Sequence, residues 1–134
     1  MILSLDTNII IHLLVGDPTI SMQYEKCLHE GNQIIISPYV DFEVRRGLRY
    51  KNATAKERIY ERFIFSWLQG EMTRLMWLQA VNIYSNLRHK GFTVCDADIL
   101  IAAFCMESQY TLVTNNTRDF INIDGLSLMG WLAS

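Results

Sequence analysis

The sequence predicts an α/β chain, a three-layer α/β/α sandwich around a central parallel sheet. Two observations carry this. The short strand candidates are apolar throughout rather than alternating, as strands covered on both faces are. Strand-like and helix-like segments also alternate through much of the chain. With 134 residues, half of them hydrophobic, the expectation is one domain over 1–134 with a sizeable core.

Ile2 to Leu5 reads as a buried strand. Thr7 to Val15 reads as a helix, stopped by Gly16, Asp17 and Pro18. Thr19 to Glu30 is a second helix, ended by Gly31, and Gln33 to Ile36 a second strand. Ser37 then offers an N-cap and Pro38 a first helical position. That helix runs toward Arg49, with Val40, Val44 and Leu48 on one face. A long helix is expected from Ala55 to Leu68, closed by Gly70, with Met72 to Met76 extended. Trp77 to Lys90 reads as a helix with Val81, Tyr84 and Leu87 or Arg88 at helical spacing. Asp98 to Ser108 is a further helix; Thr111 to Thr114 and Leu126 to Leu128 are strands.

Bulk properties narrow the function. Net charge is −2, so no global field attracts nucleic acid. Basic residues are clustered, however: Arg45, Arg46, Arg49, Lys51, Lys56, Arg58 and Arg62 stand against Glu57 and Glu61, giving +5 over residues 45–62. That segment reads either as a solvated helix face with salt-bridge partners or as a phosphate-binding edge. Cys27, Cys95 and Cys105 form no CxxC pair, which argues against a disulfide scaffold; core thiols in a reducing compartment are expected. His12, His29 and His89 lack metal-ligand spacing. The N-terminus shows no secretory pattern, and no stretch approaches the roughly 20 apolar residues that span a bilayer. A cytoplasmic protein is the expectation.

Acidic residues fall where open parallel sheets build their sites, at the C-terminal ends of strands. Asp6 follows the first strand, Glu43 lies in the helix after the second, and Asp96 and Asp98 open a late helix. Asp119 follows the strand Thr111 to Thr114. Each has a plain alternative. Asp6 and Asp96 suit N-caps, Asp98 complements a helix dipole, and Glu43 suits a surface pair with Arg46. Taken together, like charges converging on one sheet edge repel each other, and a hard divalent cation removes that conflict. Oxygen ligands with few His or Cys suit Mg²⁺ or Mn²⁺, ions that act on phosphoryl groups.

The segments LDTNIII, SPYVDFEVRRGL, DADILIAAFC and LVTNNTRDF, in this order, resemble the PIN-domain family and within it the VapC-type toxins of toxin–antitoxin pairs. The resemblance implies a PIN-like parallel sheet and Mg²⁺- or Mn²⁺-dependent endoribonuclease activity on RNA, with tRNA as a family expectation. It also implies a homodimer and a cognate VapB-type antitoxin that inserts a peptide into the active-site groove. By position, Asp6 and Glu43 match the first two family acids as catalytic and metal-binding residues. Asp98, three residues before Ile101-Ala102-Ala103, matches the third; Asp96 is then an accessory acid and Thr114 a hydroxyl near the metal. Many relatives read Thr-Arg-Asp where this chain reads Thr114-Asn115-Asn116. Either Asn116 replaces the fourth acid, weakening one metal site, or Asp119 reaches in. Arg45, Arg46 and Arg49 are the expected RNA contacts.

Two other readings bear comparison. A catalytically weak PIN-like module that binds RNA or protein is kept open by Asn116. Haloacid-dehalogenase-type phosphatases need a second aspartate two residues after the first, where this chain has Asn8.

Overall fold

The computed structural model describes residues 1–132. Its elements, in order, are β1 (Ile2–Leu5), α1 (Thr7–Leu14), α2 (Pro18–His29), β2 (Gln33–Ile36), α3 (Pro38–Tyr50) and α4 (Thr54–Ser66). There follow β3 (Leu68–Gln69), α5 (Arg74–His89), α6 (Asp96–Ser108), β4 (Thr111–Val113), a single 3-10 turn (Thr117–Asp119) and β5 (Leu128–Met129). The five strands form one sheet in the order β3-β2-β1-β4-β5, and every pairing is parallel.

The uniform apolarity of the strands has the expected cause. Leu3, Ser4 and Leu5 on β1 all have no exposed surface, so both faces of the central strand are covered by helices. Ile9 and Ile10 on α1 and Ala102 and Ala103 on α6 are equally inaccessible. Each buried isoleucine contributes about 1.5–3 kcal/mol from area removed from water. Helix starts follow local chemistry. Ser37 Oγ accepts the Val40 N–H at 3.2 Å, with Pro38 at the first helical position. Asp17 Oδ1 accepts the Ile20 N–H at 3.0 Å to open α2. No helix among the described residues is long and apolar enough to cross a membrane.

Several expectations need correction. Leu68 leaves α4 to join β3, which pairs Ile35 with Leu68 and Ile36 with Gln69; an edge strand of two residues leaves no periodic signal. Gly70 therefore closes no helix. A Cβ there would come within 2.4 Å of Phe104 Cζ and 2.7 Å of the Ile36 carbonyl oxygen, so glycine permits the edge of the sheet to approach α6. Met72 to Met76 is not extended, because the Thr73 hydroxyl accepts the Met76 N–H at 3.2 Å and starts α5 there. Helix α5 buries Met76, Ala80, Ile83 and Leu87, while Val81 and Tyr84 stay 63% and 48% exposed. Both sides of α5 are apolar, and spacing alone does not say which faces α6. Lastly, Asp96 is the first residue of α6 rather than its cap, Cys95 is exposed rather than a core thiol, and β5 lies at Leu128–Met129.

Candidate active site

The strand order reverses at β1. The chain moves from β1 to β2 on one side and later returns to β4 on the other. Such a switch point leaves a crevice beyond the strand ends. The two neighbouring strands deliver Asp6 and Thr114 to it. The Asp6 N–H donates to the Val113 carbonyl at 2.9 Å, locking the strand ends together. The buried Thr114 hydroxyl then donates to Asp6 Oδ2 at 2.7 Å, while the Thr7 N–H donates to Oδ1 at 2.8 Å. Thr114 Oγ1 in turn accepts the Asn116 N–H at 3.0 Å. Asp6 is the N-cap of α1, and its two oxygens are divided between that helix and β4. One carboxylate thus joins two elements.

Glu43 comes to the same place from α3. The Thr7 hydroxyl donates to its Oε1 at 2.8 Å, and Arg46 Nη2 lies 3.6 Å from Oε2. Asp98, in the first turn of α6, faces them across an open cavity of ≈ 390 Å³ that Asn8, Ile11, His12 and Asn116 also line. No Lys or Arg lines this cavity among the described residues. Burial raises the pKa of Asp6 above its ordinary value; Asp98 and Glu43 add to the rise, and the bonds from Thr114 and Thr7 oppose it. Burial raises Asp98 as well, helped by the charges of Asp119 and Glu43 and opposed by the Cys95 thiol. The site therefore holds like charges with hydroxyl and amide partners and one guanidinium, that of Arg46 beside Glu43.

This donor set fits a hard divalent cation. Its carboxylates, hydroxyl and amides offer oxygens, beside the single imidazole of His12, in an open cavity. Among the described residues no three His, Cys, Asp or Glu side chains form a group able to hold an ion between them. An ion there would need waters between the carboxylates to complete its shell.

A model of the PIN domain matches residues 3–126, nearly the whole described chain. The chain belongs to the PIN domain family. Among curated relatives, this PIN chain is 28% identical over 116 residues to Ribonuclease VapC19 of Mycobacterium tuberculosis, covering 87% of this chain and 90% of that one. It is 27% identical over 132 residues to Ribonuclease VapC2 of Rickettsia felis, covering 98% of each. Among solved structures it superposes on a chain of VapBC2 from Rickettsia felis bound to a DNA fragment from their promoter, with a TM-score of 0.89 and 26% identity. That match covers 98% of this chain and 100% of the other.

The PIN fold brings some of the expected residues together and separates others. Asp6, Glu43, Asp98 and Asn116 line one cavity, and Thr114 lies beneath it, bonded to Asp6. Asp119 lines the adjoining cavity with Asn115, Asn116 and Arg118, near enough for its charge to act on Asp98. Asp96 is not brought in; it borders a separate apolar cavity of ≈ 300 Å³ between α5 and α6. The three arginines are engaged by acids. Arg45 Nε lies 2.8 Å from Asp41 Oδ1 and its Nη1 bonds Glu61, Arg49 Nε lies 3.2 Å from Glu57 Oε1, and Arg46 reaches Glu43. Sequence reasoning gave Thr7 and Asn8 no part in the site. Thr7 holds Glu43, and Asn8 Oδ1 accepts the Asn115 N–H at 3.3 Å, tying α1 to the loop after β4. The missed signal was spacing: Asn8, Ile11 and His12 recur on one face of α1.

Proposed function

We propose that this PIN chain is a metal-dependent endoribonuclease, the toxin of a VapBC-type toxin–antitoxin pair, with a VapB-type antitoxin as partner. The observation that carries the reading is the acidic cavity at the switch point, where Asp6, Glu43 and Asp98 meet without a lining Lys or Arg. The relatives named ribonucleases and the VapBC complex support it.

Asp6 and Asp98, with Glu43, would hold Mg²⁺ or Mn²⁺. Bound there, the cation supplies charge neutralisation for phosphate oxygens and a water of lowered pKa. The chain's own residues do the positioning. Thr114 and the Thr7 N–H fix both oxygens of Asp6, so its carboxylate does not reorient when charge arrives. The Thr7 hydroxyl aims Glu43 at the same space. The Asn8–Asn115 bond holds Asn116 at the rim.

The test is purified, antitoxin-free protein on tRNA and rRNA with Mg²⁺, Mn²⁺ or EDTA, beside Asp98→Asn. Discrete cleavage that needs the cation and vanishes in the variant is expected. Folded protein that binds RNA but cuts nothing in any lane would instead favour a binding module, the reading that the neutral Asn116 at the cavity supports.

A further inference from the structure

Helix α3 buries Val40, Val44 and Leu48, and its other side carries a row that the core uses only at Tyr39, which packs against it partly buried. Tyr39, Phe42, Glu43, Arg46 and Tyr50 stand at i, i+3, i+4, i+7 and i+11, so they share one face. Phe42 is 55% exposed and Tyr50 88%. The Tyr39 ring meets Phe42 nearly edge-on at 6.3 Å, and the Arg46 guanidinium lies 5.0 Å from the Phe42 centroid. The row runs out of the acidic cavity, because Glu43 belongs to both.

A solvated helix face has no need of phenylalanine at position 42, where a straight-chain polar residue is a better helix former. One exposed aromatic side chain alone is ordinary. Here the ring lies under a guanidinium that also reaches a cavity acid, Glu43, at 3.6 Å. Ring faces for bases and cations for phosphates are the two features that hold single-stranded nucleic acid. Guanidinium planes stack on bases as well. A phosphate chain entering a cavity lined by acids needs a cation at the rim, and Arg46 meets that need. Arg45, between Asp41 and Glu61, is committed to the α3–α4 contact instead.

We propose that Tyr39, Phe42 and Arg46 form a base-stacking subsite that seats an unpaired nucleotide of single-stranded RNA beside the scissile phosphate. This rests on the ribonuclease reading above. The test uses the full chain in an Asp98→Asn background, which blocks cleavage, and a short single-stranded oligoribonucleotide carrying 2-aminopurine. Affinity and the quenching of the fluorescent base are read together. Phe42→Ala is expected to weaken binding roughly 5- to 100-fold and to remove the quenching, and Phe42→Tyr to restore both. Phe65→Ala, at a 94% exposed aromatic on α4, is expected to change neither. RNA bound equally by Phe42→Ala, with cleavage intact when Asp98 is restored, overturns the subsite and leaves the ribonuclease reading standing. Wild-type protein that neither binds nor cuts RNA overturns both. A change in oligomeric mass on Phe42→Ala, with RNA affinity unchanged, overturns the subsite in favour of a protein interface.

Discussion

Asp41 and Glu43 lie two residues apart on α3 and have opposite fates. Asp41 faces α4: Arg45, one turn along α3, lies 2.8 Å away, and the buried Tyr60 hydroxyl of α4 donates to it at 2.7 Å. Arg45 also bonds Glu61, and Arg49 meets Glu57, so the α3–α4 seam is a closed exchange of opposite charges. Glu43 faces the switch point, where its close partner is a hydroxyl, Arg46 lies 3.6 Å away and its neighbours are Asp6 and Asp98. The seam settles its charges within the chain. The cavity, with Arg46 beside Glu43 as its one cation, leaves Asp6 and Asp98 without an opposite charge from the chain. Paired acids stabilise a contact between helices, whereas gathered like charges raise one another's pKa values and favour a counter-ion.

Substitutions on the two sides should therefore fail differently. The largest effect belongs to the cavity. Asp6→Asn or Asp98→Asn should cut RNA cleavage by roughly 10²- to 10³-fold while the chain stays folded, because charge stabilisation of several kcal/mol is lost. Initial rates and circular dichroism on the same samples check this. Next come the hydroxyls. Thr114→Val removes the donor to Asp6, and Thr7→Val the donor to Glu43. Each should lower activity or metal affinity about 10- to 100-fold, with Thr7→Ser close to wild type. Equal losses in Thr7→Ser and Thr7→Val would mean that packing of the side chain matters there, not its bond.

The seam should lose stability and keep activity. Tyr60→Phe leaves Asp41 without its hydroxyl donor, at a cost of about 1.5–3 kcal/mol, and lowers the thermal midpoint by roughly 4–10 °C. Arg49→Ala breaks a pair whose arginine is 78% exposed and should stay within about 0.5 kcal/mol of wild type.

Acidity separates the regions again. The pKa values of Asp6 and Asp98 are raised in the folded state, so folded protein holds these protons more tightly than unfolded chain does. Metal-free stability from this pair is greatest below the ordinary aspartate value of 3.8 and falls as pH rises through the raised values. Denaturation midpoints in EDTA should show Asp6→Asn gaining on wild type as pH rises through that window. A divalent cation should close the gap by stabilising wild type. A difference that stays flat with pH would mean that the acids do not strain the metal-free fold.

Much of this was legible from residue type and spacing. Largely apolar Ile2–Leu5 and Gln33–Ile36 announced a parallel sheet, and the aspartate after the first strand announced a carboxylate at the sheet's C-terminal edge. Two things were hidden. The β3 strand is two residues long and is created by pairing with β2, so no local pattern encodes it. The division of charge along α3 was also hidden. Sequence shows Asp41, Glu43, Arg45 and Arg46 as one mixed run, and only the docking of α4 shows that Arg45, beside Asp41 on α3, is also spent on Glu61. Asp96 and Asp98 make the same point, since two residues along α6 separate an apolar cavity from the acidic one.

The most direct test of that contrast is a calorimetric Mn²⁺ titration at neutral pH of wild type, Asp98→Asn and Asp41→Asn. Saturable binding is expected in wild type and Asp41→Asn, with affinity at least about 10-fold weaker in Asp98→Asn. No binding in wild type, or equal affinity in all three proteins, would refute a cation site at the switch point.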